Sequence, residues 1–467
     1  MGCMKRSYHT FLALAAWLAV PILLNAQDTR TVVEPVFPQP CATLEAQLQS
    51  IGRTLAPADE QKLDTARIQN AIDGCAAGRA VVLRKNGVND AFLSGPLHLK
   101  SGVALRVDRG VTLFASRDAS LYAIRPGSCG RVTHTPGPRG CKPLIAVDDA
   151  PRSAVMGEGA IDGRGGEKIL GSSDSWWDLA EQARAGGYQQ NPRLIVVNRS
   201  DNFTLYRITL RNSPNFHVTY NQGDGFTAWG VRIDTPQRLA LNTDGIDPGD
   251  GAKNVTITHC SIRTGDDNVA IKGGAGGATQ MTISHDHFYW GHGMSIGSET
   301  SGGVSQIRVF DLSLDGPDNG IRIKSNGSRG GLTRDVVYSD VCIRNSPNPI
   351  ALDTGYTDAG TLKGNSPPSM REITLRNVRV RGGGTISFVG YAHEDRIAAR
   401  LDGVEITDQA QYRYRLAHAD LTLGPDPTNL QLPAGPAVKA ADSTILGKPA
   451  QGHPASCAAI FAPFPQD

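Results

Sequence analysis

Beyond residue 26 the chain has no uninterrupted apolar run near the ~18 residues that a membrane-spanning helix requires, so no later segment reads as a bilayer span. It also lacks an excess of either charge: 47 Lys and Arg stand against 45 Asp and Glu, a formal net charge of +2. A balanced chain lacks the basic field that bulk nucleic-acid binding needs, so that class is excluded and any acidic ligand must be held by local cations. No set of cysteines and histidines has zinc-ligand spacing. Helical periodicity is nearly missing: only Asp64 to Cys75 places apolar residues, Ile68, Ala71, Ile72 and Cys75, at helical spacing. With one substantial helix expected, leucine-rich, ankyrin and tetratricopeptide repeats are ruled out.

The first 26 residues differ from the rest. Lys5 and Arg6 form a basic start, Phe11 to Leu24 an apolar stretch broken by Pro21, and Asn25-Ala26 a cleavage end. That is the plan of a secretory signal, so the mature chain is expected to begin at Gln27 and to be secreted or periplasmic, with no membrane attachment. Removing Lys5 and Arg6 takes the formal charge from +2 to 0. Eight cysteines become seven when Cys3 leaves, so at least one thiol stays unpaired. Cys129 and Cys141 bracket a Gly/Pro-rich loop, and Cys41 can tie the N-terminal segment to Cys75; both are expected bridges in an oxidising compartment. Cys260 and Cys342 lie inside apolar strand patterns and are expected to be buried thiols.

What the chain has in quantity is short Val-, Ile- and Thr-rich runs punctuated by Gly, Asn and Asp. They repeat. Phe203-Thr-Leu, Phe226-Thr-Ala, Val255-Thr-Ile, Met281-Thr-Ile, Ile307-Arg-Val, Val336-Val-Tyr and Ile373-Thr-Leu open successive blocks whose starts lie 23, 29, 26, 26, 29 and 37 residues apart. A period in the twenties with two or three strands per unit implies a solenoid, and a β-propeller would want ~40 residues per blade. A parallel β-helix is left, each coil stacking ~4.8 Å from the last, with the early helix capping its first coil. Residues 27–467 are expected to form one all-β domain, with the repeat fading after about Gln409 into a Pro/Ala-rich C-terminal segment, 410–467, that covers the last coil or packs along the side.

Counting 12 residues from each block start gives Asn215, Asp267, Asn319 and Asn348; counting 11 from Met281 gives His292. An insertion around Gln237 to Leu241 delays the equivalent position in the Phe226 block to Asp244. One column of the solenoid therefore reads Asn215, Asp244, Asp267, His292, Asn319, Asn348. A ladder of polar turn residues accounts for the asparagines. It does not account for two stacked carboxylates with Asp266 beside them, because like charges that close are tolerated mostly at working sites. Glycoside hydrolysis uses such carboxylates, one as acid and another opposite it. Asp244 and Asp267 share the column and can hold a water between them. Asp266 points the other way if its backbone is extended, and its anionic neighbours are expected to keep it protonated as general acid, an inverting arrangement. His292 follows one coil on and can hydrogen-bond Asp266. Arg322 and Lys324 alternate with Ile323, so they face one side, and a guanidinium beside an ammonium suits a uronic acid ring.

These motifs resemble glycoside hydrolase family 28, the polygalacturonase family. The likeness rests on Asn242-Thr-Asp-Gly-Ile-Asp247, Gly265-Asp-Asp267, Gly291-His-Gly-Met-Ser-Ile-Gly-Ser-Glu299 and Gly320-Ile-Arg-Ile-Lys-Ser325. It extends to Ile161-Asp-Gly163, Trp176-Trp177, Asn212-Ser-Pro214 and Tyr356, covering roughly residues 40 to 395. It implies a single-stranded right-handed parallel β-helix, the pectin-lyase-like solenoid, with its catalytic coils at about 200–360. It implies inverting hydrolysis of α-1,4-galacturonan, an acidic plant cell-wall polysaccharide, with no metal and no cofactor, and the chain is expected to act as a monomer. Residue by residue, Asp266 becomes the general acid, Asp244 and Asp267 activate water and His292 assists Asp266. Arg322, Lys324, Asn242 and Tyr356 bind substrate. One departure is Asn268, where many members carry cysteine; its side chain should lie off the catalytic face. Three other readings remain: a hydrolase of decorated pectin, a calcium-dependent pectate lyase, and a β-helix that only binds polysaccharide.

Overall fold

A computed structural model describes residues 27–356, 364–430, 438–450, 452 and 461–466. The expected signal, residues 1–26, lies outside them. Among the described residues thirty strands join in one continuous parallel sheet wound into a β-helix. The block starts inferred from the repeat pair directly: Phe203 with Phe226, then Val255, Met281, Ile307, Val336 and Ile373 in turn. All seven are fully buried and stack into one inward column, with the rings of Phe203 and Phe226 parallel at 6.1 Å. Burying each such side chain contributes about 1.5–3 kcal/mol, so the repeat is also the main source of cohesion. The bend after this sheet uses one left-handed residue per coil, among them His259, His285, Asp311, Asp340 and Asn377. His, Asn and Asp tolerate that conformation better than the β-branched residues on either side.

The capping helix spans Thr65–Gly74, with Ile68 and Ile72 fully buried in the main core. Cys75 follows it and is bonded to Cys41 in the strand Pro40–Glu45, which pairs with Arg79–Arg84; Cys129–Cys141 forms as well. Three expectations need correction. Cys342 is disulfide-bonded rather than a buried thiol, whereas Cys260 is free and buried. The first helix has a companion, Trp176–Ala183, started by a reciprocal Ser175–Asp178 capping box and anchored by buried Trp176 and Trp177. Its eight residues are too few to establish a visible period. The solenoid also continues past Gln409, through Tyr412–Leu423 and Val438–Leu446. Tyr412 and Tyr414 take core positions there, which breaks the aliphatic pattern that marks the earlier coils. Beyond it Phe464 packs on Arg263 and Tyr289, so the chain end lies against the side of the helix.

Candidate active site

The strands Val218–Asn221, Ile246–Gly249, Val269–Ile271, Met294–Ile296, Asn319–Lys324 and Asn348–Asp353 lie side by side. Their register puts Asp244, Asp267, His292, Asn319 and Asn348 on successive coils of one column, as the spacing predicts. Asn215 does not belong to it. Val218 pairs with Ile246, so Phe216 is level with Asp244, because the turn closed by Ser213 Oγ on Phe216 O holds one residue more than the count allows. A second outward column stands five residues on, where Gly249 pairs with Lys272 and register carries it through Gly297 to Lys324. Carboxylates line one column and ammonium groups the other.

Neither Asp266 nor Asp267 lies in a strand: Asp266 sits in a bend, and its Oδ1 accepts the backbone N–H of Asp267 at 2.9 Å. The same oxygen is 3.0 Å from His292 Nδ1, and Asp318 Oδ2 lies 3.5 Å from His292 Nε2. Asp267 is enclosed: Lys324 Nζ donates to it at 2.7 Å, Ser295 Oγ at 2.6 Å and Arg322 at 3.3 Å. Lys272 Nζ sits 3.3 Å from Asp244 and 3.5 Å from Asp247. Tyr356 lies against two cations, its ring 5.4 Å from the Arg322 guanidinium and 5.1 Å from Lys324 Nζ. Asn242 is exposed beside the column in a left-handed conformation, its Oδ1 accepting from Gln189 at 2.7 Å.

Sequence reasoning missed Lys272, Ser295, Asp247 and Asp318. Lys272 had a readable signal, since Val-Ala-Ile-Lys follows Asn268 as Ile-Arg-Ile-Lys follows Gly320 and both lysines stand five places after the column. Asn268 is fully buried, and its side chain is engaged there. Its amide donates to Ile262 O and Trp290 O, both at 3.1 Å, and accepts from Gly293 N at 2.8 Å. Those contacts bracket Gly291-His292 and fix the turn that carries the imidazole.

Charge in the site is distributed differently from the expectation for Asp266. Burial pushes that carboxyl up, yet the His292 charge and hydrogen bond, with Lys324 and Lys272, prevail and hold it below the usual range. Burial pushes His292 down, but the Asp266 carboxylate overrides it and lifts the imidazole to about 10. The shared proton therefore rests on His292. Burial is likewise overcome at Asp267 by Lys324 and then Arg322, which keep it ionised. Asp244 is the carboxyl driven well upward, by burial and then by Asp247 and Asp266; burial also lifts Asp247, to about 6. Asp266, Asp267 and His292 offer ligand atoms within 4.8 Å of one another. A cation there would have to displace the lysine, arginine and imidazolium already paired with the two carboxylates, which makes the trio a poor metal site.

The loop closed by Cys129–Cys141 and the segment around Trp176–Ala183 form one wall, joined by antiparallel pairing of Arg131–Thr133 with Tyr188–Gln190. Gln189 of this wall reaches Asn242 at the column, and Ile124, Arg139, Cys141 and Asn191 line a cavity beside it. A cavity of about 240 Å³ beside Lys272 and Asp247 shares Arg193 and Asn221 with a further one of about 420 Å³ beside Arg139 and Lys142.

Comparison with known proteins gives concordant findings. The sequence profile of glycosyl hydrolases family 28 matches residues 80–415. A polygalacturonase of Ralstonia nicotianae is 37% identical over 93% of this chain and 92% of its own length. An endo-polygalacturonase of Pectobacterium carotovorum subsp. carotovorum is 42% identical over 84% of this chain and 92% of its own. Among solved structures, the polygalacturonase from Erwinia carotovora ssp. carotovora superposes with a TM-score of 0.78 at 41% identity, covering 84% of this chain and 99% of that one.

Proposed function

The chain belongs to glycosyl hydrolases family 28, and on that footing we propose that it is a secreted, monomeric polygalacturonase that cleaves internal α-1,4 links of polygalacturonan with inversion. The observation that carries this reading is the pairing of the carboxylate column with Arg322, Lys324 and Tyr356. It sets acid–base groups beside a station for a uronate carboxylate. Asp266 protonates the glycosidic oxygen as the bond to the anomeric carbon breaks, and the leaving sugar keeps that proton. Asp267, held ionised by its cations and assisted by Asp244, takes a proton from a water that attacks the anomeric carbon from the opposite face. His292 supplies the proton that Asp266 spends. A uronate drawn to Arg322 and Lys324 brings negative charge and excludes water, and both changes push Asp266 upward, towards the protonated state that an acid needs. Asn242 positions substrate. A groove that continues past the carboxylates supports cleavage within a chain rather than at its end.

The test is product analysis on de-esterified polygalacturonic acid, with and without chelator, for the wild type and Asp266→Asn. Saturated oligomers of mixed length in both conditions, together with a variant that binds polymer but turns over at most ~10⁻² as fast, are expected. Unsaturated, ultraviolet-absorbing products that vanish with chelator would establish a lyase instead. A variant that keeps wild-type turnover would remove Asp266 from the role of acid.

A further inference from the structure

The carboxylate column does not end at Asp244. Parallel pairing carries it two coils further, through Phe216 to Arg193. The Arg193 guanidinium lies over the Phe216 ring at 4.4 Å, and Lys272 Nζ lies 5.1 Å from the same ring. This stretch also gathers buried polar atoms with no hydrogen-bond partner among the described residues: Arg193 Nε, Thr219 Oγ1, Asp244 Oδ1 and both carboxylate oxygens of Asp247, whose nearest cation is Lys272 at 3.5 Å. These atoms lie just beneath a cavity of about 240 Å³ that Arg193, Phe216, Thr219, Asn221, Asp247 and Lys272 line together. Donor and acceptor types are mixed there, as a sugar acid requires. Thr219 and Asp247 are paired neighbours on adjacent strands.

We propose that Arg193, seated on Phe216 and flanked by Lys272, binds the carboxylate of a second uronate residue, while Thr219 and Asp247 take that sugar's hydroxyls. This subsite lies on the opposite side of the catalytic carboxylates from Arg322 and Lys324. The inference rests on the polygalacturonan reading and deepens it, because it makes the groove select charge at two separated stations. A guanidinium has a fixed fork that matches a carboxylate, and a polyuronate presents one carboxylate per ring. Each coil advances ~4.8 Å, so two coils give a sugar chain room to place another ring over Arg193. Burial, with Arg139 adding to it, pulls the Arg193 guanidinium down to about 9, and the negative charge of an incoming anion offsets both by favouring the charged form.

Binding of a ladder of oligogalacturonates of defined length is measured by calorimetry in the Asp266→Asn protein and in the same protein carrying Arg193→Gln or Arg193→Lys. Thermal unfolding of each variant reports its fold. Losing one charge-assisted pair should weaken long oligomers by about tenfold or more and leave the shortest ones much less affected. Arg193→Lys should recover part of the loss, and it serves as the test if Arg193→Gln does not fold. Equal weakening at every length, or none, overturns the subsite. Turnover of the same ladder by the Asp266-containing protein separates the two ideas. Absent saturated products would count against the hydrolase, while a length-dependent binding loss would still establish the uronate station.

Discussion

Replacing Lys324 by Met tests the electrostatic account of the site most directly. The ammonium is nearly buried, at 7% side-chain exposure, and lies 2.7 Å from an Asp267 carboxylate that is 1% exposed. Removing one member of a buried ion pair strands the other and costs about 3–5 kcal/mol. Asp267 keeps Arg322 at 3.3 Å and Ser295 at 2.6 Å, so a loss near the lower end, about 3 kcal/mol, is expected at neutral pH. The pH dependence follows from the direction of the Asp267 shift. A carboxyl held below its ordinary value stabilises the fold above that value, ~3.9, and loses the contribution as pH falls through its folded pKa. Without Lys324 the folded pKa rises, so the stability gap between wild type and variant should be widest at neutral pH and should narrow on acidification. The same rise moves the acid limb of the kcat profile to higher pH, because in the proposed mechanism Asp267 must be ionised to take the water's proton. Denaturant unfolding across pH and steady-state kinetics on polygalacturonate read both effects. A gap that is constant with pH, together with an acid limb that stays in place, would refute the reasoning. It would mean that Lys324 only binds substrate.

Asn268→Ala should lower kcat by roughly 10- to 100-fold and leave KM within a factor of about two, since it frees the turn bearing His292 without touching the substrate cations. A raised KM at unchanged kcat would contradict a positioning role. Cys41→Ser with Cys75→Ser should cost about 2–5 kcal/mol in denaturant unfolding and leave kinetic constants near those of the wild type, because the bridge ties down the cap far from the carboxylates. Lost activity in variant that is still folded would show that the cap and the site are linked.

The fold was legible because a solenoid writes its register into the chain at fixed spacing. Seven block starts chosen by pattern turn out to be mutual neighbours, and the helix that seals the first coil carried an unambiguous period. The site was legible where it follows the same spacing. Asp244, Asp267 and His292 fall into line, and Arg322 and Lys324 face one way because strand side chains alternate. Asn215 shows where counting stops being reliable: turns absorb single residues, and one residue of slip exchanges Asn215 for Phe216. That slip also hid Arg193, the next member of the column. Protonation was not legible at all. Whether Asp266 keeps its proton depends on Lys324, Lys272 and His292, which reach it from other coils, and no local pattern records how closely they approach.

The coil architecture also explains how so many carboxylates can be kept together. Stacking places Asp244 and Asp267 on adjacent coils, where their repulsion would be costly if nothing else were near. The second column, five residues later on the same strands, answers them with Lys272 and Lys324. A single change in strand register would turn each of these side chains into the core. Length differences between coils must therefore be confined to turns, and the extra residues around Gln237 to Leu241 are, since Arg232–Asp234 before them and Ile246–Gly249 after them keep their pairing. The turns can vary in length while the two columns stay level, so the groove can be lengthened or walled at its rims without moving the carboxylates or the cations that hold them.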